Sequence, residues 1–394
     1  MQEKYLDINI PKGWNALSTD QIEQLSRVLI DSAKTYSETG VYNQVEVLVK
    51  SFFIVTGLQP ISFLHSESAG ELIVIPDDEA VDDLYIDCEY KDETKRKRIQ
   101  YDLQGRFIPI RLFVKEIVEL SVGVISKESI DSYLKAITRY NEAIEAGKTR
   151  TEPELPSPSG PLSWLMKASS LTKVPYQELT VIEKDKNTGN PILDSKGKNK
   201  TVTFQGPAEY MQDFTWQQYR FSSEIMSYLS QCENQLVKLK KEKASKKKIE
   251  AADVQVHEMR AQFIATLYSR PVRHINRETG LEETSPMFVS SQGSENAYLF
   301  LDFPEEKFQT ISFWWQGMMR HLQIQFPKVF KSAEVSSKSS PFDDPFSLYT
   351  RSTTTMVKYA ASNEAEVNRT TYTIILQHMQ DMAEENDRIK EMTK

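Results

Sequence analysis

The run Pro304-Glu-Glu-Lys-Phe308-Gln-Thr-Ile311-Ser-Phe-Trp-Trp315-Gln-Gly-Met318-Met319-Arg-His-Leu322-Gln-Ile-Gln-Phe326-Pro327 decides the fold class. Phe308, Ile311, Trp315, Met318, Leu322 and Phe326 recur at helical steps, which places them on one face of an α-helix. Pro327 ends it, because proline has no amide hydrogen to donate. Consecutive helical residues lie about 100° apart, so Phe313, Trp314, Trp315, Met318 and Met319 cover more than one face. A single core leaves part of that surface outward. These five residues are therefore the candidate protein interface, since Trp and Met are common interface anchors; packing against another domain is the plainer alternative.

Two neighbouring segments share the helical period. After Gly206-Pro207, the residues Tyr210, Phe214, Phe221, Ile225, Tyr228 and Cys232 form one stripe, and His257, Ala261, Ile264 and Tyr268 form another, ended by Pro271. Between them Lys238 to Lys248 holds seven lysines and one glutamate. Self-repulsion and solvation predict a loop or a frayed helix end there.

At the other end, Leu17-Ser-Thr-Asp-Gln-Ile22 reads as a capping box, Ser18 with Gln21, flanked by a Leu17–Ile22 staple. Ile22, Leu25, Leu29 and Ala33 continue the apolar face. A second helix is expected from Gln44 to Val55, carrying Val45, Leu48, Phe52 and Val55 and closed by Gly57. From Glu71 to Asp102 the runs ELIVI, DLYIDCEY and RIQYDL read as a small antiparallel β insertion. Helical spacing returns in Leu112–Leu120 and in Ser129–Ala146, where Ile130, Leu134, Ile137 and Ile144 align before Gly147.

Residues 151–161 hold four prolines in eleven positions, an extended connection in which regular backbone pairing fails. ELTVIEKD, the turn Asn187-Thr-Gly-Asn-Pro191 and KNKTVTF then read as a β-hairpin arm with a polar tip. Ser332 to Pro345 is a second polar linker, followed by a docking helix around Ile374, Ile375, His378 and Met382. The expected fold is mainly α with small β insertions (α+β): two helical units joined by a Pro-rich linker, plus the arm. The expected domains are 1–150, with the insertion at about 71–102; linker and arm at 151–206; a helical domain at 207–330; and a linker with docking helix at 331–394.

Hydrophobic residues make up 39% of the 394, with 18 Phe, 17 Tyr and 5 Trp, enough to build substantial cores and exclude global disorder. Forty-eight Lys and Arg against 56 Asp and Glu leave −8, the wrong sign for a general nucleic-acid binder. Two cysteines, Cys88 and Cys232, are too few for a disulfide framework. With no secretory-type start and no spanning apolar run, a soluble intracellular protein is expected.

Catalytic signals are wanting. His65, His257, His274, His321 and His378 form no ligand set, and Ala261 stands where a zincin helix would carry its second histidine. Gly189, Gly197 and Gly206 lack the order of a phosphate loop, no GxSxG elbow occurs, and the pairs Asp77-Asp78 and Asp82-Asp83 read as solvated turns. No catalytic residue, cofactor or metal is expected. Basic-patch candidates are Lys95, Arg96, Lys97 and Arg98, and Lys238, Lys240, Lys241, Lys243, Lys246, Lys247 and Lys248, with Lys196, Lys198 and Lys200 on the arm. Each cluster can neutralise phosphates, yet none has interleaved aromatics for base stacking; an acidic protein partner is the other reading.

In order along the chain, Pro11-Lys-Gly-Trp14-Asn-Ala-Leu17-Ser-Thr-Asp-Gln21, Gly206-Pro207, Leu267-Tyr268-Ser269-Arg270-Pro271 and Phe326-Pro-Lys-Val-Phe330 resemble landmarks of proteins encoded in the tail-morphogenesis gene clusters of tailed phages and prophages. The family patterns are P-x-x-W-N-x-L-T-x-x-Q-L, LYRP and YP-x-x-F; here Ser269 interrupts the second, and the lysine segment and β arm are additions. The resemblance implies a non-enzymatic tail or virion assembly protein, either structural component or chaperone. Its partners would be other phage tail or virion proteins or a further copy of itself, without membrane and with nucleic acid disfavoured. It would act in the host cytoplasm during assembly, or in the virion. A nucleic-acid-binding accessory protein and an unrecognised hydrolase are the competing functions.

Overall fold

The computed structural model describes residues 10–40, 43–61, 64–66, 70–72, 84–101, 104–122, 132, 134–139, 142, 161–166, 169–275, 282–286, 290–330 and 363–393. The chain is mainly helical with small antiparallel sheets. It divides into two units, Met1–Ser170 and Leu171–Lys394.

In the first unit α1, Thr19–Thr39, starts at the expected capping box: Ser18 Oγ accepts from Gln21 N at 3.2 Å, and Ser18 N donates to Gln21 Oε1 at 3.0 Å. Leu17, Ile22 and Leu25 are buried, but Leu29 and Ala33 are exposed, so only the first half of the stripe meets the core. Helix α2, Gln44–Thr56, is capped by Asn43 and buries Val45, Leu48, Phe52 and Val55. It also buries Val47, Val49 and Phe53. Burial on nearly all sides outweighs the weak helix preference of its β-branched residues.

The sheet is wider than the predicted insertion. It comprises β1 (Leu58–Pro60), β2 (Leu64–Ser66), β3 (Gly70–Leu72), the central β4 (Leu84–Tyr90) and, after the short helix α3 (Glu93–Ile99), β5 (Ile110–Phe113). β4 pairs antiparallel with β1, β2 and β5, while β3 pairs with β2. Leu84, Ile86, Cys88 and Tyr90 alternate inward. Helix α4, Val114–Val122, follows β5 directly and buries Val114 and Ile117.

The third predicted strand, RIQYDL, is a correction. Of residues 98–103, Arg98 and Ile99 end helix α3, Gln100 is a bend and Tyr101 makes one isolated antiparallel bridge to Phe107. The helix forms because Asp92 caps the amide of Lys95, Glu93 lies in the first turn, and Arg96, Lys97 and Arg98 lie in the last, matching the helix dipole. Helical residues recur at 134–139, with Leu134 exposed and Ile137 half-buried. Ile130, Ile144, Gly147, the proline run 151–160 and the pairs Asp77-Asp78 and Asp82-Asp83 lie outside the described residues. The division between units falls after the prolines, since Leu162 is fully buried and Trp164 packs edge-on against Trp14, 5.6 Å between centroids.

In the second unit β6 (Glu178–Ile182) and β7 (Thr201–Gln205) form the expected arm. Bridges Lys184↔Pro191 and Leu193↔Asn199 fold its tip into a small meander, with Asp185 and Asp194 accepting from the amides of their own turns. Helices α5 (Trp216–Lys241) and α6 (Lys246–Leu267) make an antiparallel hairpin. α5 starts later than the predicted stripe: Thr215 is the cap, and Tyr210 and Phe214 precede it. Then come β8 (Pro271–Ile275), β9 (Glu282–Pro286), α7 (Ser290–Asn296), α8 (Glu305–Gln325), α9 (Glu364–Arg369) and α10 (Tyr372–Met392). The linker Ser332–Pro345 lies outside the described residues. The docking helix is α10, fastened where Tyr372 N donates to Phe214 O at 3.1 Å and Trp216 N donates to Thr370 O at 2.8 Å. It buries Tyr372, Ile375, Leu376 and Gln380, whereas Ile374 and His378 of the expected apolar side are exposed.

Candidate interaction surfaces

Helix α8 is the core of the second unit, which overturns the exposed-interface expectation for its aromatic cluster. Trp314 and Met318 are fully buried, Trp315 and Phe313 are buried and Met319 is half-buried. Elements close on it from several sides. Trp315 meets Phe263 of α6 edge-on at 5.5 Å and Tyr219 of α5 at 6.4 Å, and Tyr219 stacks on Tyr372 of α10 at 5.2 Å. Trp314 Nε1 donates to Thr172 O at 3.2 Å. Gly317, one turn on, admits the same backbone segment: a β-carbon there would stand 2.1 Å from Leu171 O. The assumption of a one-sided core was the error.

The basic cluster on α3 is largely engaged within its own unit. Arg96 pairs with Glu89 at 2.7 Å, Lys97 with Glu93 at 2.6 Å, and Lys95 Nζ lies 4.6 Å over the Tyr90 ring. Arg98 is exposed. Behind the helix, buried Gln100 accepts from Tyr90 N at 2.8 Å and donates to Cys88 O at 3.0 Å, pinning the following turn to β4. The arm lysines Lys196, Lys198 and Lys200 are exposed, and Lys200 pairs with Glu183.

The second basic cluster occupies the tip of the α5–α6 hairpin, with only Glu242–Ser245 outside the two helices. Leu229, Cys232, Leu236 and Leu239 face Ile249, Ala252 and Val256 at alternating steps of three and four, the seam of a two-stranded coiled coil. Flanking Tyr228, Val237 and Val254 are exposed. Glu233 is still tied through Arg260 to Glu305, but beyond it burial is confined to the seam, so the last eight residues of α5, roughly 12 Å of helix, stand clear of the core. Lys238 lies 3.9 Å from Glu242 and Lys246 lies 3.6 Å from Glu250. Lys240, Lys241, Lys243, Lys247 and Lys248 form no ion pair with a described residue.

The turn itself is a Schellman motif: Ala244 N donates to Leu239 O at 3.0 Å and Lys243 N to Lys240 O at 3.1 Å. Lys243 takes the left-handed position at φ 52°, where glycine is favoured and a side chain costs ~1 kcal/mol. Neither the strained turn nor the hairpin was visible in a run of lysines.

Among the described residues, a cleft of about 60 Å³ lies beside His257, Arg260, Ile264, Phe300, Phe303 and Phe308. Arg260 holds Glu233 at 2.9 Å and Glu305 at 3.2 Å across it. His257 is exposed, His321 packs on Tyr210 at 5.5 Å, His378 is exposed, and His65 and His274 lie on β2 and β8. No three His, Cys, Asp or Glu side chains among the described residues converge, and no described helix is long and apolar enough to cross a membrane. Both cysteines are buried; Cys88 Sγ donates to Ile110 O, and burial with the nearby Asp87 charge pushes its thiol up to about 12.

Of the landmark residues, Trp14 is buried beside Trp164, Tyr268 is buried with its hydroxyl on Tyr176 O, and Arg270 lies 5.4 Å over the Phe204 ring. Phe326 is buried at the end of α8. No protein-family model, curated protein or solved structure matches the chain.

Proposed function

We propose that this chain is a non-enzymatic assembly protein of tailed phages and prophages, acting through protein contacts in the tail or virion, as a structural component or as a tail-assembly chaperone. The reading rests on the ordered landmarks from Pro11 to Phe330. The observation that carries the contact role is the pair of extensions on the second unit: the meander, exposed at every residue from 186 to 201, and the lysine-tipped hairpin. Slender extensions reach neighbouring subunits while a separate aromatic core supplies stability. The landmark Trp14 serves the core of the first unit, and Tyr268 and Phe326 serve that of the second, so the contacts belong to the extensions rather than to the motifs.

The test is mass spectrometry of purified virions beside infected lysate. Recovery in virions assigns a structural component; recovery only in lysate, bound to a tail protein, assigns a chaperone. A chain found free in lysate, with no phage protein captured on it, overturns both. A gene lying beside tail-tube and tape-measure genes is the expected neighbourhood.

A further inference from the structure

The arm of the second unit has an unguarded edge. β6 and β7 pair one-to-one from Glu178↔Gln205 to Ile182↔Thr201, with no bulge. Glu183 N donates to Lys200 O at 2.8 Å and Gly206 N to Gln177 O at 2.7 Å, which fixes the phase of the ladder. Because bonded pairs alternate in an antiparallel ribbon, Leu179 and Val181 bond across to β7, and the N–H and C=O groups of Glu178, Thr180 and Ile182 point away from it. All three residues are exposed, and no described residue pairs with their outward groups. Their side chains do not cover the edge either: Thr180 meets Thr203 at 3.1 Å, and Glu178 Oε1 accepts from Gln205 Nε2 at 2.8 Å, both across the ribbon. Between Glu178 and Glu183 the strand reads Leu-Thr-Val-Ile, strongly β-forming and without the charge, proline or bulge that blunts an edge. The edge of β7 differs. There Gln205 already exchanges two backbone bonds with Ser269, at 2.9 and 3.0 Å, and Lys198 and Lys200 flank the far end.

We infer that β6 pairs antiparallel with β6 of a second copy of this chain, about a two-fold axis at Thr180, joining two ribbons into one four-stranded sheet. The strand suits itself. This register sets Thr180 opposite the partner's Thr180 and Glu178 opposite the partner's Ile182, so the outward groups of all three residues are satisfied together. The two Glu178 carboxylates fall at opposite ends of the pairing, each one diagonal step from the partner's Lys184, so unlike charges approach and like charges stay apart. An isologous contact uses one surface twice and needs no separate acceptor. It also closes: once β6 is paired, the outermost strand is β7, whose edge Ser269 and the flanking lysines already restrict. A two-stranded ribbon is marginal in water, and doubling it supplies the missing pairing. The edge is short, so dissociation is expected on the order of 10–100 µM, and the contact gains strength where other contacts hold the subunits together. The inference goes beyond the proposed function and stands apart from it, since self-pairing is measured on the purified chain whether or not virions contain it.

Sedimentation velocity of the full chain, from well below to well above that range, is the first measurement. The mass is expected to rise from one chain to two and no further. Ile182→Pro removes an outward N–H and none that bonds β7, so association should weaken by about tenfold or more while circular dichroism stays unchanged. Thr180→Cys reports the axis itself. Both native cysteines are buried, and a residue facing its own copy across bonded strands stands ~5.5 Å away at Cα, within disulfide reach. Under mild oxidation with diamide, Thr180→Cys chains should dimerise about tenfold faster than Asn187→Cys chains, altered at the exposed turn, and adding Ile182→Pro should abolish the difference. A chain monomeric throughout, association unmoved by Ile182→Pro, or equal linkage from the two cysteine variants overturns the inference. So does faster linkage of Thr180→Cys chains to Thr203→Cys chains than to each other, which would put β7 on this edge. A monomer that captures a tail protein, and loses it in Ile182→Pro, assigns the edge to a foreign strand and overturns self-pairing.

Discussion

Helix α8 and the tip of the α5–α6 hairpin both stand out in the sequence, one by its aromatics and the other by its lysines, and they have opposite fates. The aromatic residues of α8 are satisfied by enclosure: Tyr219 of α5, Phe263 of α6 and the backbone at Leu171–Thr172 cover them, while Gln316, Arg320 and Ile324 stay outside. The lysines are satisfied by distance, at the end of a two-helix seam. A wide aromatic face is buried by several neighbours, and surplus of one chemistry is read as an outward site when it is charged rather than when it is aromatic.

The contrast breaks most sharply at Trp314. Trp314→Ala removes a fully buried indole and its bond to Thr172, and is expected to cost ~3–5 kcal/mol in urea denaturation of the full chain. A loss below ~1 kcal/mol would return this helix to the surface. Gly317→Ala tests the enclosure from the other direction: its methyl group meets Leu171 backbone, and a loss of ~1–3 kcal/mol is expected from overpacking alone. At the tip the signs reverse. Lys243→Gly should gain ~1 kcal/mol by relieving the left-handed residue, and a loss would show that the lysine side chain supports the turn.

The two buried cysteines sharpen the same contrast on a finer scale. Cys232 sits in the hairpin seam and Cys88 on the inward face of β4. Fraying of the seam should let iodoacetamide reach Cys232 well before Cys88, followed by mass spectrometry of the peptides. Alkali acts on Cys88: its folded thiol keeps its proton to about 12, whereas the unfolded thiol ionises from near 9. The unfolded chain then binds fewer protons, so stability falls as pH climbs from 9 towards 12. A urea midpoint that is flat over that window would contradict the burial of this thiol.

Much of the helical framework was legible, and for local reasons. The Ser18–Gln21 box, the glycine stop at Gly57, and the Phe308–Phe326 stripe depend on atoms a few residues apart. Misreadings arose where short segments had a choice. RIQYDL looked like a strand by its apolar residues, although Asp92 three places before Lys95 was a helix start in plain view. Of the candidate surfaces, the lysine tip was legible as exposed charge. The hairpin that presents the tip was not.

Periodicity, caps and proline stops act within a turn or two of backbone, so the order of residues was enough to establish a mainly helical chain with β insertions and a lysine-rich exposed segment. Which faces would be covered depended on segments far apart in the chain. Thr172 reaching Trp314, Tyr372 stacking on Tyr219 and Leu171 pressing on Gly317 are long-range contacts, and no local rule states whether an aromatic side chain will find such a neighbour or water. Folding settled that by closing several elements around α8 and leaving a single seam to hold the charged hairpin away from them.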